Sequence, residues 1–326
     1  MNGEKLGIGL YGANGHQIHR LLQNHPKAEL LAHVGLETVI DPTKMPENVS
    51  VQAYDSLEAM LGDSRLSVIS LCSPYRRDQA RDAVLCLQAG KHVLAEKPCA
   101  LQESDLDAII EAAGRSGRHF REMSALEFAQ PYMAMRDIVR SGEIGEIVQV
   151  FAQKSYPYHD RRPQDPDVDG GLVGQVGIYL LRFIEQVAMQ RVIDVTAVET
   201  ALGNPVPGGR LSMAATLTMK LENGGVACGV ANYLNQPGFG KWGNDHLRLF
   251  GTKGILESTD GGARTRLVIG DRDCGSIDFE KPGYTEFDRF LDAILLNAPA
   301  SAESLESMLH PTRMAIRAIR SAQRNR

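Results

Sequence analysis

The sequence predicts an α/β protein: a doubly wound parallel sheet comes first, and an α+β domain with a large open, mainly antiparallel sheet follows. Three observations carry this. Leu66 to Ala100 reads as strand, helix and strand, with a β-rich run to Cys72, a helical segment from Asp78 to Gln88, Gly90 as its stop and a second strand from Lys91 to Leu94. Such a crossover leaves its two strands parallel. Lys5 to Tyr11 is a further strand, which runs into the turn Gly12-Ala13-Asn14-Gly15-His16-Gln17. From Ile147 onward the apolar residues alternate with polar ones, the mark of strands covered on one face.

Taken in order, the first turn leads to a helix expected from Gln17 to Asn24, stopped before Pro26. A tight turn at a helix N-terminus attracts phosphate, because backbone N–H groups and the helix dipole point at it. The usual Gly-x-Gly-x-x-Gly needs glycines at 12, 14 and 17; only Gly12 fits, Asn14 and Gln17 replace the others, and Gly9, Gly12 and Gly15 form a shifted series. Asn tolerates positive φ, so the turn can still form. Gly12, Asn14, Gly15 and Gln17 are therefore expected to hold a dinucleotide pyrophosphate; a packed turn without ligand is the plain alternative.

The next strand, Glu29 to Val34, should end in an acid for the ribose 2′-hydroxyl about 20 residues beyond the glycine turn. Gly35 stands there instead. With no carboxylate to repel a 2′-phosphate, and with His33 or Lys44 able to approach one, the expectation leans to NADP, while Glu37 keeps NAD open. Ser50 to Leu61 passes from strand to a helix capped by Asp55 or Ser56. Ser73-Pro74 and Glu96-Lys97-Pro98 close the two crossover strands, so both lie on the carboxyl edge of the sheet, where such folds bind ligands. Asp78 reads as a helix N-cap. Gln102 to Ser116 is an amphipathic helix, and Arg118 to Met123 is the last strand of the first domain.

The boundary falls near residue 122, giving domains 1–122 and 123–326. The second domain is expected to contain strands Ile147 to Lys154, Val192 to Leu202, Leu211 to Leu221, Val226 to Tyr233, His246 to Phe250 and Arg266 to Ile269. Gly251-Thr252-Lys253-Gly254 reads as a hairpin turn, and helices Thr285 to Leu296 and Ala302 to Arg324 close the chain. Among the strands lies a helix beginning near Gly170, in which Gln175, Tyr179 and Arg182 follow one another at spacings of four and three and so share a face. The polar loop Tyr156 to Asp169 precedes it, and loops of that length in compact domains are usually functional. Its Asp165-x-Asp167-x-Asp169 resembles the start of a calcium loop, but Val176 replaces the closing Glu, so no metal is expected.

At 326 residues, 43% hydrophobic and 23% charged, the chain suits two ordinary globular domains. A formal charge of -5 offers no basic surface for nucleic acid. The five cysteines, Cys72, Cys86, Cys99, Cys228 and Cys274, contain no Cys-x-x-Cys pair and fit reduced thiols in a cytoplasm. The first strand is broken by Gly12 and Asn14, unlike a signal peptide, and no apolar run approaches the roughly 18 residues that cross a bilayer, so no membrane partner is expected.

Ala89-Gly90-Lys91-His92-Val93-Leu94-x-Glu96-Lys97-Pro98, downstream of a Cys-Ser-Pro strand end, resembles the signature of the glucose-fructose oxidoreductase, inositol dehydrogenase and MocA (Gfo/Idh/MocA) family. Glu127-Phe128-x-x-Pro131, Ser141-Gly142-x-Ile144-Gly145-x-Ile147 and the Gly251–Gly254 turn resemble it further along. The resemblance implies a Rossmann first domain binding NADP or NAD, with Ser73, Pro74, Glu96 and Lys97 at the cofactor, a cis peptide at Lys97-Pro98, and pairing of subunits as a homodimer or homotetramer. Relatives carry Asp-x-Gly-x-His-x-x-Asp where this chain has Gln175, Tyr179 and Arg182. Tyr179 then takes the place of the proton-carrying histidine, Lys97 stabilises charge on the substrate oxygen, and Gln175 can orient without carrying a proton. Arg161 or Arg162 becomes the arginine that relatives contribute to nicotinamide or substrate, with Arg182 and Tyr179 also at the substrate.

The expected function is thus an NAD(P)-dependent oxidoreductase moving hydride between nicotinamide and a sugar, cyclitol or related polyol or carbonyl. The competing class is an impaired relative acting as a non-redox nucleotide- or sugar-binding protein, for which Asn14, Gln17, Gly35, Asp78, Gln175 and Arg182 all speak. A lyase or epimerase using bound NAD transiently is a third.

Overall fold

The computed structural model describes residues 5–37, 51–124, 126–280 and 283–325. The chain packs as two units: Met1–Met123 with Asp167–Asp169 and Phe287–Leu309, and Ser124–Pro166 with Gly170–Glu286 and His310–Arg326.

The first unit holds six strands, β1 (Leu6–Tyr11), β2 (Ala28–Val34), β3 (Gln52–Ala53), β4 (Leu66–Leu71), β5 (His92–Ala95) and β6 (Phe120–Glu122). They lie in the order β3-β2-β1-β4-β5-β6, every neighbouring pair parallel. The chain builds outward from β1 to β3, then crosses to start again at β4. The switch between β1 and β4 opens a crevice at the carboxyl ends of the strands. Helices α1 (Leu57–Leu61), α2 (Gln79–Gln88) and α3 (Glu103–Ser116) make the crossovers into β4, β5 and β6. Ser56 caps α1 by accepting the Ala59 N–H at 3.1 Å. Asp78 does hold the N-cap position of α2, yet its side chain caps nothing; it stands 3.7 Å from Arg81 instead.

Gln17 to Asn24 forms no helix. Its backbone makes separate turns, Ile18 O to Leu21 N at 2.8 Å and Leu22 O to His25 N at 3.4 Å, and Asn24 takes a left-handed φ of 55°. The Gln17 side chain is folded back on the carbonyls of Tyr11 and Gly12, at 3.1 and 2.9 Å, so the segment is tied to β1 rather than launched into a helix.

The 123–326 stretch expected as one domain is divided, because α7 (Glu286–Leu295) packs with the first unit from Phe287 on. Phe287, Phe290, Leu291 and Ile294 form one apolar stripe and bury against Ile8, Leu10 and Leu30 of the first sheet.

In the second unit α4 (Tyr132–Ser141) precedes β7 (Ile147–Ser155) and α6 (Ile178–Arg182) follows; between them α5 (Pro166–Asp169) ends the polar loop, its Asp167–Asp169 counted with the first unit. Strands β8 (Val192–Thr200), β9 (Ala214–Leu221), β10 (Val226–Asn232), β11 (Asn244–Gly251), β12 (Gly254–Thr259), β13 (Arg264–Ile269) and β14 (Arg272–Gly275) complete an eight-stranded sheet. Its order is β14-β13-β12-β11-β7-β10-β9-β8, antiparallel except where β7 and β10 run together. The expected 251–254 turn joins β11 to β12. Val150, Ala152, Leu247 and Leu249 point from the sheet into a core shared with Val176, Leu180 and Phe183. Among the described residues, α8 (Ala302–Arg324) included, no helix is long and apolar enough to cross a membrane.

Candidate active site

At the carboxyl edge of the first sheet, Gly12, Gly35, Ser73-Pro74 and Glu96-Lys97 follow the ends of β1, β2, β4 and β5. Gly12 has φ +70°, and a Cβ there would collide with the Cys72 carbonyl, so this position needs glycine twice over. Gly35, φ +69°, has nothing near a Cβ position and lines an open cavity of about 460 Å³ together with Ala13, Asn14, Asp55, Glu58 and Pro74. That cavity lies where the fold class places an adenosine ribose. Asp55 and Glu58 are exposed carboxylates, no basic residue lines the cavity among the described residues, and His33 is buried. Lys44 lies outside the described residues.

The glycine turn is closed from within. The Gly12, Asn14 and Gly15 N–H groups donate to Val34 O, Cys72 O and Ala13 O at 3.0, 3.2 and 3.0 Å, and the His16 N–H donates to the Glu96 carboxylate. Asn14 Nδ2 donates to Ser73 O and Pro74 O at 3.3 and 3.1 Å, and Gln17 Nε2 to Ser70 O at 3.3 Å. The two residues expected to replace glycines at the phosphate thus stitch β1 to the end of β4. Glu96 is fully enclosed, which alone would raise its pKa. Hydrogen bonding with His16 and the charges of Lys97, His16 and Arg76 outweigh that and hold the carboxyl well below the usual range. Its other oxygen accepts the Lys97 N–H at 2.8 Å. Lys97 is itself buried, and the Lys97-Pro98 peptide is cis.

Two residues of this edge escaped the sequence reading. Gln79 Nε2 donates to Glu96 O at 2.5 Å, while its Oε1 accepts from Ser73 N at 3.3 Å and Arg76 Nη1 at 2.5 Å, so it fastens both strand ends to each other. Arg76, buried, donates from Nη2 to Asn14 O at 2.7 Å. An arginine and a glutamine in a helix's first turn look like ordinary surface residues in a sequence; only the tertiary fold buries them.

In the second unit Tyr179 lies on α6, flanked by two π-helical segments, Val173–Gly177 and Phe183–Val187. Gln175 is half-buried within the first of these segments, one four-residue step before Tyr179. Tyr179 and Arg182 do meet, with the guanidinium carbon 5.8 Å from the ring centre. Arg182 is 2% exposed, so it sits in the core. Of the loop arginines, Arg161 is exposed, whereas Arg162 stacks 3.7 Å over the Tyr233 ring and donates to Pro157 O at 3.3 Å, which makes it a brace of its own loop.

The second group missed from sequence surrounds Tyr179. Lys154 Nζ stands 4.6 Å from the Tyr179 ring centre and 5.0 Å from that of Tyr156. It lies 2.7 and 2.9 Å from the two oxygens of Asp245, directly across the β7–β11 pairing. The Tyr132 hydroxyl donates to Asp245 at 3.1 Å. Burial first, then Tyr179 beside it, pushes the Tyr156 hydroxyl far above the usual phenol range, so Tyr156 keeps its proton and donates to Tyr179. A signal for Lys154 did exist. Val150, Ala152 and Lys154 share the inward parity of β7, and a lysine at a core position needs a partner.

The fold thus joins a doubly wound parallel sheet with a switch-point crevice to a second, mostly antiparallel unit in which a buried lysine lies against Tyr156 and Tyr179. Residues 6–123 match the oxidoreductase family with NAD-binding Rossmann fold, and residues 132–257 match the GFO/IDH/MocA C-terminal domain; the chain belongs to this family. It is 26% identical over 203 residues to a trans-1,2-dihydrobenzene-1,2-diol dehydrogenase of Xenopus laevis, covering 58% of this chain and 61% of that one. It is 27% identical over 198 residues to a 1-carboxy-3-chloro-3,4-dihydroxycyclohexa-1,5-diene dehydrogenase of Comamonas testosteroni, covering 60% and 48%. The chain thus spans about half to three fifths of the length of these curated relatives. An aldose-aldose oxidoreductase from Caulobacter crescentus shares the fold with a TM-score of 0.79 at 20% identity, over 99% of both chains. So does an NAD-binding protein from Listeria innocua, with a TM-score of 0.77 at 19% identity over 99% of this chain and 96% of that one.

Proposed function

We propose that the protein is a nicotinamide-dependent dehydrogenase or reductase acting on a CH–OH group of a ring-shaped diol, sugar or cyclitol. The observation that carries this is Tyr179, held in hydrogen-bond contact with Tyr156 against a buried lysine within a domain of an oxidoreductase family. The named activities of the relatives, on dihydrodiols and on aldoses, support the substrate class. When bound, the nicotinamide supplies the hydride acceptor or donor. In the oxidation direction Tyr179 takes the hydroxyl proton, and in reduction it returns that proton to the carbonyl oxygen. Lys97 is the ammonium that stabilises charge on that oxygen, and Gln175 remains a candidate to orient substrate.

The cofactor choice is drawn from the cavity at Gly35. Asp55 and Glu58 replace the missing acid and oppose a 2′-phosphate, so NADH is the proposed cofactor, against the lean to NADP that Gly35 alone suggested. A fluorescence titration tests both statements: NADH binding about tenfold tighter than NADPH is expected, and turnover is then sought on a panel of cyclic diols, cyclitols and aldoses. A preference for NADPH would overturn the assignment of Asp55 and Glu58.

One observation favours the second reading, a non-redox binding protein. The Gly12, Asn14, Gly15 and His16 N–H groups are all engaged within the chain, leaving the turn closed to a pyrophosphate until Glu96 releases it. Absence of binding by either nucleotide at millimolar concentration would put that reading first. All five cysteines are free thiols, which supports a reducing compartment. Phe151, Phe250 and Ile255 on the outer face of the second sheet support pairing with another copy, which light scattering tests.

A further inference from the structure

A buried ion pair is weak evidence for stability, since apolar residues of equal volume often serve as well. Lys154 and Asp245, each 8% exposed, therefore invite a reason beyond fastening β7 to β11. What the pair adds is a fixed positive charge against the faces of two phenol rings. Asp245 is anchored in turn by Tyr132, whose own hydroxyl burial and the adjacent carboxylate keep protonated.

We propose that Lys154 is a positioning residue for Tyr179: its ammonium, held by Asp245, sets how readily Tyr179 gives up its phenolic proton, and Tyr156 donates the hydrogen bond that orients it. This rests on the reading of Tyr179 as the proton carrier. Within the second unit, Tyr179 is faced by Lys154 and Tyr156 from β7 and its end, by Arg182 from its own helix, and by Asp245 of β11 behind Lys154. Tyr233, under Arg162, faces Tyr156. A cation within about 4–6 Å favours phenolate and shifts such a titration by about 1 to 3 units. Burial and its hydrogen bond to Tyr179 hold the proton on Tyr156, so Tyr179 is the member of the pair that changes state. The arrangement leaves the tyrosine charge-assisted without placing Lys154 on the substrate.

The test is an NMR titration of the full chain labelled at tyrosine Cζ, the Tyr179 signal being the one lost in Tyr179→Phe. Lys154→Met is expected to raise the Tyr179 midpoint by about one unit or more. Asp245→Asn, which leaves the lysine charge uncompensated, lowers it, and Lys154→Arg keeps it near wild type. A purely structural pair would not give shifts of opposite sign. Equal midpoints in wild type and Lys154→Met, or shifts of one sign in both variants, overturn the proposal. If a single variant fails to fold, the charge-balanced double variant Lys154→Met/Asp245→Asn is read in its place; a midpoint above wild type supports the proposal and an unchanged one overturns it. The pH profile of kcat in Lys154→Met is expected to move with the NMR midpoint. A midpoint that moves while the profile stays supports Lys154's hold on Tyr179 and overturns Tyr179 as proton carrier.

Discussion

The Gly12–Gln17 turn and the surroundings of Tyr179 both depart from the pattern of their family, but they absorb the departure in different ways. At the turn, Asn14 and Gln17 spend their amide groups on neighbouring carbonyls, and Glu96 enters the turn as an internal anion. The substitutions there become architecture. Around Tyr179 the unusual residues gather on one phenol: a hydrogen-bonding tyrosine, a fixed ammonium and a guanidinium against the ring, with the counter-ion supplied from the next strand. A changed residue that satisfies backbone groups keeps a fold; one that surrounds a titratable side chain changes its chemistry.

The largest effect expected to separate the two regions is on rate. Tyr179→Phe removes only a hydroxyl and should lower kcat by about 10²- to 10⁴-fold, the range typical of a general acid or base. Lys97→Ala should fall in the same range. Steady-state kinetics on the substrate found by the panel decides it, and full turnover in both variants would place the chemistry elsewhere. Asn14→Ala should do the reverse. It leaves the Ser73 and Pro74 carbonyls without their donor, at a cost of about 1–3 kcal/mol in urea unfolding, and lowers kcat little once NADH is saturating. A variant as stable as wild type would show that the stitching contributes nothing.

How much of this was legible in the sequence follows the same division. The fold was legible because it is written in periodicity. The Leu66–Ala100 crossover and the alternation after Ile147 each report a buried face, and burial is what orders the sheets. The 17–24 segment and the 287–309 return were not, for a shared reason. Whether Gln17 caps a helix or folds back on Tyr11, and which sheet the α7 stripe covers, depends on partners distant in sequence. At the site, Lys97 and Tyr179 stood out through motif and spacing. Gln79 and Arg76 carried no local signal, and Lys154 and Asp245 carried one only in their strand parity.

A control for the comparison lies at the other end of the strand that leads to Lys97. His92 opens β5, buried, with its Nδ1 accepting the His119 backbone N–H at 2.9 Å. That bond fixes Nδ1 as an acceptor, so protonation there costs a hydrogen bond. Burial first, then the neighbouring His119 and Arg118, pushes the His92 pKa down from 6.5 to about 4. Between those two values the unfolded chain binds a proton that the folded chain refuses, so the His92 contribution is fully present above pH 6.5 and is lost as pH falls toward 4. This group shapes stability and has no part in turnover. His92→Gln, which can still accept from His119, should flatten the stability slope across that window while leaving the pH profile of kcat where it was. An unchanged slope, followed by urea midpoints at several pH values, would show that acid sensitivity arises at other groups. A kcat profile that moved with His92 would erase the distinction between titrations that hold the fold and the one proposed at Tyr179 to serve the reaction.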